Sequence, residues 1–377
     1  MSLKQLLISL SSLLLLEASS LASNLKDSMS FGVNSYNDNA DVNVYSPTLS
    51  LFKKVSHNWM LGFKMRIDAI TAASISNGAD GNHVDAVVTN ATTGASSVSN
   101  SFADDVRYAP TIMATYDDGE NTLTFGGYYS TEADYTGRAF FANYVRQLNE
   151  QNTALGIGIS QSFDYWHPVF DRNLPKDNRD ESKIDFSINQ LISPTFSMQA
   201  VYSFMYSEGF LSSPYHYVLQ DDMARFENYP DTRTGHAFAV KGVYLLNNAN
   251  SMNFSYRYYF DDWDISSHTV NVEELHDFNS QFTSGLRLRY YTQTGSNFIK
   301  TIGNYNVNDD YFATDYRMSA FDSYTIGIPF MYRFKDGDKI NASIDYYQTS
   351  DNAHIKSWYG VNNISAVFTT LSYEFDY

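Results

Sequence analysis

The chain has 377 residues, contains no cysteine and carries a formal net charge of −17. Without cysteine it forms neither disulfides nor thiolate metal sites, and its acidic excess argues against nucleic acid as a partner. Aromatic residues make up 16% of the chain, with 30 Tyr and 26 Phe, yet the mean hydropathy is −0.35. That mixture is typical of a membrane barrel, which needs one apolar face, aromatic girdles and a polar interior.

The first 22 residues predict a secretory signal peptide. The positive charge of Lys4 precedes a mostly apolar run over residues 6–16, and Ser20-Leu21-Ala22 supplies the small residues of a cleavage site. The alternative, a membrane anchor helix, needs ~20 apolar residues, whereas Glu17 ends this run early. We therefore expect a signal peptide over residues 1–22 and one outer-membrane barrel domain over residues 23–377.

Period-two alternation fills most of the chain that follows. Trp59, Leu61 and Phe63 alternate with smaller or polar neighbours, and the same pattern covers residues 153–164, 252–261 and 286–291. Such alternation predicts strands. A tilted membrane-crossing strand needs ~9–11 residues, whereas strands of soluble proteins have ~5–6. The sequence therefore predicts an all-β fold, a transmembrane antiparallel up-and-down β-barrel of about sixteen strands.

The connections between these strands differ in length according to whether they follow an even-numbered or an odd-numbered strand. Short polar turns follow the even-numbered strands, at residues 117–119, 148–150, 193–195 and 335–338. Long connections follow several odd-numbered strands, at residues 71–105, 166–181, 208–235, 295–316 and 350–362. Outer-membrane barrels have short periplasmic turns and long extracellular loops. We therefore expect the bacterial outer membrane as the location, with both chain termini in the periplasm.

The last strand agrees with this location. Residues 367–377 alternate and end on an aromatic residue, Tyr377. This ending is similar to the C-terminal signal through which the barrel-assembly machinery receives outer-membrane proteins. Outer-membrane lipid and that machinery are therefore expected partners, and nucleic acid is not.

Several segments in a fixed order resemble a family of Gram-negative outer-membrane β-barrel proteins that is known only as a domain of unknown function. The segments are DAITAAS at 68–74, YYSTEADY at 128–135, NTALGIGIS at 152–160, RYYFDDWDISSHTV at 257–270, LRLRYYTQT at 286–294 and DYRMSAFDSYTIGI at 315–328. The resemblance implies a location and a barrel shape. It implies no activity.

Charged residues of the inward parity are the candidate pore-lining residues. These are Lys64, Arg66, Asp68, Arg257, Asp261, Arg287, Arg289, Arg333 and Asp345. A turn at residues 277–279 would pair Thr269 with Arg287, and a tip near Trp263 would pair Thr269 with Arg257. Two arginines would then lie ~10 Å apart in one layer of the lumen and form a charged constriction. The alternative is that these side chains only brace the barrel wall.

The long loops are acidic, and this bears on ion preference. Residues 71–105 contain four Asp and no basic residue, and residues 208–235 contain five acids against two arginines. An acidic mouth would concentrate cations within about a Debye length, ~8 Å at physiological salt. The arginine layer below would favour anions instead, and on balance the sequence predicts a cation preference. The sequence leaves open whether residues 71–105 fold inward as a plug.

The sequence also offers a candidate metal site at one hairpin tip and a candidate hydrolase pair on the outer face. Asp261, Asp262 and Asp264 surround a hairpin tip, but Asp is common in turns and no calcium-loop spacing occurs. His268 and Ser284 share the outward parity, but the predicted register separates them by ~13 Å, too far for a nucleophile and its base. We expect no metal, no cofactor and no catalytic residue.

Three functional hypotheses follow. The favoured one is a channel or facilitator for a small solute or ion with a charged lumen. The second is a surface-interaction or assembly barrel with a closed pore that acts through its long loops. A surface hydrolase is the third.

Overall fold

The computed structural model describes residues 26–71, 74–75, 84–85, 105–132, 135–166, 177–212, 216–220, 223–301, 305–306 and 308–377. Sixteen of the described strands form one closed antiparallel barrel in which neighbours in sequence are neighbours in space. The barrel closes where β1 pairs with β16, from Ser28 opposite Asp376 to Asp38 opposite Ala366. The predicted fold class is thus confirmed.

The barrel strands are β1 Ser28–Asp38, β2 Asn43–Lys54, β3 Trp59–Thr71, β4 Asp105–Asp117, β5 Asn121–Thr131, β6 Tyr135–Leu148, β7 Thr153–Trp166, β8 Asp177–Ser193, β9 Phe196–Gly209, β10 Thr232–Asn247, β11 Asn250–Asp261, β12 Ser266–Asp277, β13 Phe282–Gln293, β14 Phe321–Arg333, β15 Lys339–Thr349 and β16 Ser365–Asp376.

The alternation of each strand separates two faces of the barrel. On β11, Phe254, Tyr256 and Phe260 are exposed on the outer face, whereas Asp261 is buried on the inner face. A lipid-facing wall must be apolar, and every backbone N–H and C=O within it must bond to a neighbouring strand. Strands of 11 to 17 residues meet the length that this requires.

The two ends of the barrel differ as predicted. Connections of two to five residues join β2 to β3 and every later even-numbered strand to the next strand. The five long connections all lie at the opposite end, which also holds three short ones, at residues 39–42, 132–134 and 262–265. The predicted signal peptide and most of residues 71–105 lie outside the described residues. The hypothesis that residues 71–105 fold inward as a plug therefore also concerns residues outside the described part of the chain.

Some of the long loops fold against one another. The loop between β9 and β10 contains a hairpin, Tyr217–Gln220 with Met223–Phe226, and the loop between β15 and β16 contains helix α1, Ala353–Tyr359. Asn352 caps the start of α1, and Gly360 ends it with a φ of 71° that favours glycine. No helix within the described ranges is long and apolar enough to span a membrane.

One predicted register is wrong. Thr269 does pair with Arg257, but on its other side it pairs with Tyr291, and Arg287 pairs with Glu273. The turn between β12 and β13 is centred near residue 280, because Phe278 N–H donates to Phe282 O and the Asn279 side chain accepts from Phe282 N–H. Moving a turn centre by two residues shifts the register by four. The predicted layer of Arg257 and Arg287 therefore does not exist.

Gly285 marks a close approach of two backbones, and we expect Gly285→Ala to destabilise the barrel. A Cβ there would lie 1.9 Å from the carbonyl oxygen of Glu274 on β12, so the strands would have to shift. The expected loss is about 1–3 kcal/mol in the free energy of unfolding. Urea titration of the protein folded into lipid vesicles measures it. Gly127→Ala is the matched control, since its Cβ meets only Ala139 O at 3.7 Å. Equal urea midpoints for the two variants would contradict the expectation.

Candidate functional site: the charged inner face of the barrel

The nine candidate pore-lining residues have the inward parity, but they do not form one layer. They lie on five strands of the barrel, and their contacts differ from one position to the next. The residues are Lys64, Arg66 and Asp68 on β3, Arg257 and Asp261 on β11, Arg287 and Arg289 on β13, Arg333 on β14 and Asp345 on β15. Arg333 is exposed at the short-turn end of its strand.

Asp68 holds two guanidinium groups at once. Arg66 Nε lies 2.7 Å from Asp68 Oδ1, and Arg107 Nε on β4 lies 2.7 Å from Asp68 Oδ2. Asp68 is 1% exposed and Arg107 is 4% exposed, so this group belongs to the wall. Sequence reasoning missed Arg107, although its position in the alternation of residues 105–117 places it on the inner face.

A second buried pair, on β8, was also missed. Lys183 Nζ lies 3.1 Å from Asp185 Oδ2, and Ser203 on β9 donates to Asp185 Oδ1. Both members of the pair are almost fully buried. Opposite charges at i and i+2 share one face of a strand, which is the signal that could have found them.

Asp261 stabilises the turn between β11 and β12. Its Oδ1 accepts from the backbone N–H groups of Trp263 and Ile265, both at 3.0 Å. Its Oδ2 accepts from Arg233 Nε at 2.9 Å and from the Tyr259 hydroxyl at 2.7 Å. Both oxygens of the carboxylate are thus hydrogen-bonded, and Oδ1 caps the turn through two backbone N–H groups. Among the described residues no three His, Asp or Glu side chains are placed to hold a metal ion.

Arg287 lies between two carboxylates. Its Nε donates to Glu273 Oε2 on β12 at 2.8 Å, and its Nη1 donates to Asp345 Oδ1 on β15 at 3.1 Å. The second contact crosses β14 at Gly327, where a Cβ would overlap the Asp345 carboxylate. The charge of Arg287 is therefore neutralised within the wall.

Three further basic residues on the inner face are not part of these ion pairs: Arg257, Arg289 and Lys241. Within the described part of the chain, none of the three has a carboxylate within 4.0 Å. Each is partly exposed, and the guanidinium of Arg257 lies 5.3 Å from the ring centre of Tyr259. We call these three residues the cationic patch.

Glu227 joins two of the long loops at the other end of the barrel. Its Oε1 accepts from Thr314 Oγ1 at 2.8 Å and from Asp315 N–H at 2.8 Å, while the Tyr229 hydroxyl donates to Oε2 at 2.6 Å. Burial alone would raise the pKa of Asp315, but the neighbouring Arg317 lowers the pKa to about 2. A depressed pKa means that this carboxylate stabilises the loops fully above about pH 4 and loses that effect as the pH falls towards 2.

Helix α1 brings a third loop, between β15 and β16, into contact with the two loops that Glu227 joins. We call these three loops the loop assembly. His216, which is 1% exposed, stacks on Trp358 of α1 with ring centres 4.7 Å apart, and its Nδ1 lies 3.7 Å from Glu227 Oε2. Burial lowers the pKa of His354 at the start of α1. Pairs such as Asp309 with Lys300 and Asp315 with Arg317 neutralise part of the acid in these loops.

The observed register between β12 and β13 also changes which residues lie opposite His268 and Ser284 on the outer face. Ser284 lies opposite His276, and His268 lies opposite Thr292. His276 Nδ1 is 2.7 Å from Asn250 Oδ1, but the Ser284 hydroxyl donates to the carbonyl oxygen of Pro329 at 2.8 Å. The serine proton is thus bonded to a backbone carbonyl, which cannot act as its base.

We expect Glu227→Ala to loosen the loop assembly, because it removes the acceptor of several buried hydrogen bonds. Hydrogen bonds to a charged acceptor contribute about 1.5–3 kcal/mol each, so cleavage by an added protease should accelerate on the order of tenfold or more. Mass spectrometry of the fragments measures the cleavage rate within residues 294–320. Asp310→Asn at an exposed position of the same loop is the control. A Glu227→Ala rate no faster than that of the control would show that Glu227 does not hold the loops together.

Comparison with known proteins gives a family and a fold. A family model described as "Protein of unknown function (DUF3570)" matches residues 5–178 and 170–375. No functionally curated protein matches the sequence.

Several solved structures are similar to this chain. A "Bacterial polysaccharide outer membrane secretin" shares 7% identity and a TM-score of 0.55, over 94% of this chain and 99% of that one. A ferric enterobactin receptor (PfeA) mutant from Pseudomonas aeruginosa shares 9% identity and a TM-score of 0.47, over 87% of this chain and 54% of that one. A TodX monoaromatic hydrocarbon channel mutant shares 8% identity and a TM-score of 0.47, over 96% and 93%. Only the first of these has a TM-score above 0.5, and at 7% identity its likeness concerns the barrel fold alone.

Proposed function

The chain belongs to the family described as "Protein of unknown function (DUF3570)", and from its own barrel we propose that it is an outer-membrane channel for small polar solutes or ions. The family match confirms the resemblance noted in the sequence. The barrel would lie in the bacterial outer membrane, with its long loops outside the cell and both termini in the periplasm.

The observation that carries this proposal is the set of partly exposed, charged residues on the inner face. The cationic patch has no acidic partner among the described residues, and its side chains retain partial exposure. An unpaired charge that is removed from water costs several kcal/mol, so such residues favour a hydrated lumen over a dry core. A barrel of about sixteen strands is wide enough to leave an aqueous path.

The loop assembly favours a second candidate, a barrel with a closed pore that acts through its loops. Loops from three connections pack around Glu227, His216 and Trp358 at one end. A packed surface of this kind also suits the binding of a partner. Conductance separates the two candidates, because a closed pore passes no current.

We expect residues 23–377, refolded into a planar lipid bilayer, to give steady single-channel openings. A salt gradient across the bilayer should give an anion-selective reversal potential, since the cationic patch is unpaired whereas part of the loop acid is neutralised. A cation-selective potential would place selectivity in the acidic loops. Absence of current from protein that shows the heat-modifiable mobility of a folded barrel would overturn the channel and leave the closed-pore candidate.

A further inference from the structure

The cationic patch spans the four consecutive strands β10 to β13, with Lys241 and Arg289 at one level of the lumen. Lys241 on β10 pairs with Ser255 on β11, Ser255 pairs with Asn271 on β12, and Asn271 pairs with Arg289 on β13. At ~4.8 Å per strand the backbones of Lys241 and Arg289 are ~14 Å apart. Arg257 lies between them, two residues along β11 from Ser255.

The residues between these cations are neutral and polar. Asn271 Nδ2 donates to Ser255 Oγ at 2.9 Å, which fixes the amide on the wall between Lys241 and Arg289. The acids of the neighbouring strands are already engaged, because Asp185 pairs with Lys183 and Glu273 pairs with Arg287. Three positive charges therefore lie on a polar stretch of the wall, and none of them has a carboxylate within 4.0 Å among the described residues.

Such an arrangement suits an anionic ligand. A guanidinium group donates two parallel hydrogen bonds to a carboxylate or phosphate, and an ammonium group adds a point charge. Two guanidinium groups and one ammonium group spread over ~14 Å match a solute with separated anionic groups better than a single small anion.

We propose that Arg257, Arg289 and Lys241 form a lumen binding site for a small organic solute that carries two or more negative charges. This inference rests on the proposed channel function and names the solute class that the channel would take. The site holds the solute by charge-assisted hydrogen bonds from the two arginines, and Lys241 contributes electrostatic attraction from the adjacent strand. Arg287 takes no part, because Glu273 and Asp345 already neutralise it.

Succinate is the probe, with butyrate as the singly charged analogue of similar length. Isothermal titration of the folded protein in detergent, at low salt, should show saturable succinate binding that is on the order of tenfold tighter than butyrate binding. In the bilayer, succinate should block the chloride current in a concentration-dependent way. Added salt should weaken both effects.

The double variant Arg257→Gln/Arg289→Gln should weaken succinate binding on the order of tenfold or more. Arg333→Gln is the matched control, since it also removes a guanidinium of the inward parity, at an exposed position outside the patch. If the double variant fails to fold, Lys241→Gln alone should still weaken binding and leave the butyrate titration almost unchanged. Equal binding of succinate by the wild type and either patch variant would overturn the site.

The two readouts separate the site from the channel. Current without succinate binding would retain the channel and remove the site. Succinate binding that depends on the patch, in a protein that passes no current, would retain the site and remove the channel.

Discussion

The structure depends on one constraint, that no backbone N–H or C=O group can remain unpaired in lipid. An open sheet would leave two edges unsatisfied, whereas the pairing of β1 with β16 removes them both. Closure also divides every strand into a lipid face and an inner face. The aromatic, apolar outer wall and the polar lumen both follow from this single requirement, and so does the modest mean hydropathy of a chain rich in Tyr and Phe.

On the inner face a similar constraint applies to charged side chains, which need a partner when they are buried. Charges in the wall are stable where an opposite charge or backbone donors satisfy them, as at Asp68, Asp261 and Arg287. Removing one partner of such a pair leaves a buried charge, which costs far more than the pair contributes. Arg257, Arg289 and Lys241 have no such compensation among the described residues and instead retain contact with the lumen. The difference between compensated and uncompensated charge separates the wall from the candidate site.

Alternation and connection length sufficed to predict the barrel, the approximate strand count and the inward parity of the candidate residues, because these follow from local periodicity. The register between β12 and β13 could not be predicted, since Phe278 and Asn279 extend the hairpin in a way that turn composition does not reveal. That error placed Arg287 level with Arg257, where the structure has Tyr291. Arg107 was missed because its ion pair with Asp68 depends on the register between β3 and β4. Lys183 and Asp185 lie on one strand, and their i, i+2 spacing could have been used to find them. The packing of Glu227 against Thr314 joins residues far apart in sequence and leaves no local signal.

Labelling of single cysteines introduced into this cysteine-free chain tests the central claim, a hydrated lumen behind an apolar wall, most directly. A water-soluble, membrane-impermeant maleimide should react with Ser255→Cys and Asn271→Cys on the inner face of the protein in lipid vesicles. The same reagent should leave Phe254→Cys and Val270→Cys on the outer face unlabelled. Period-two labelling along β11 and β12 is the result that the account predicts. Unreactive cysteines at both inner positions of a folded barrel would contradict it, because they would show that the lumen is dry.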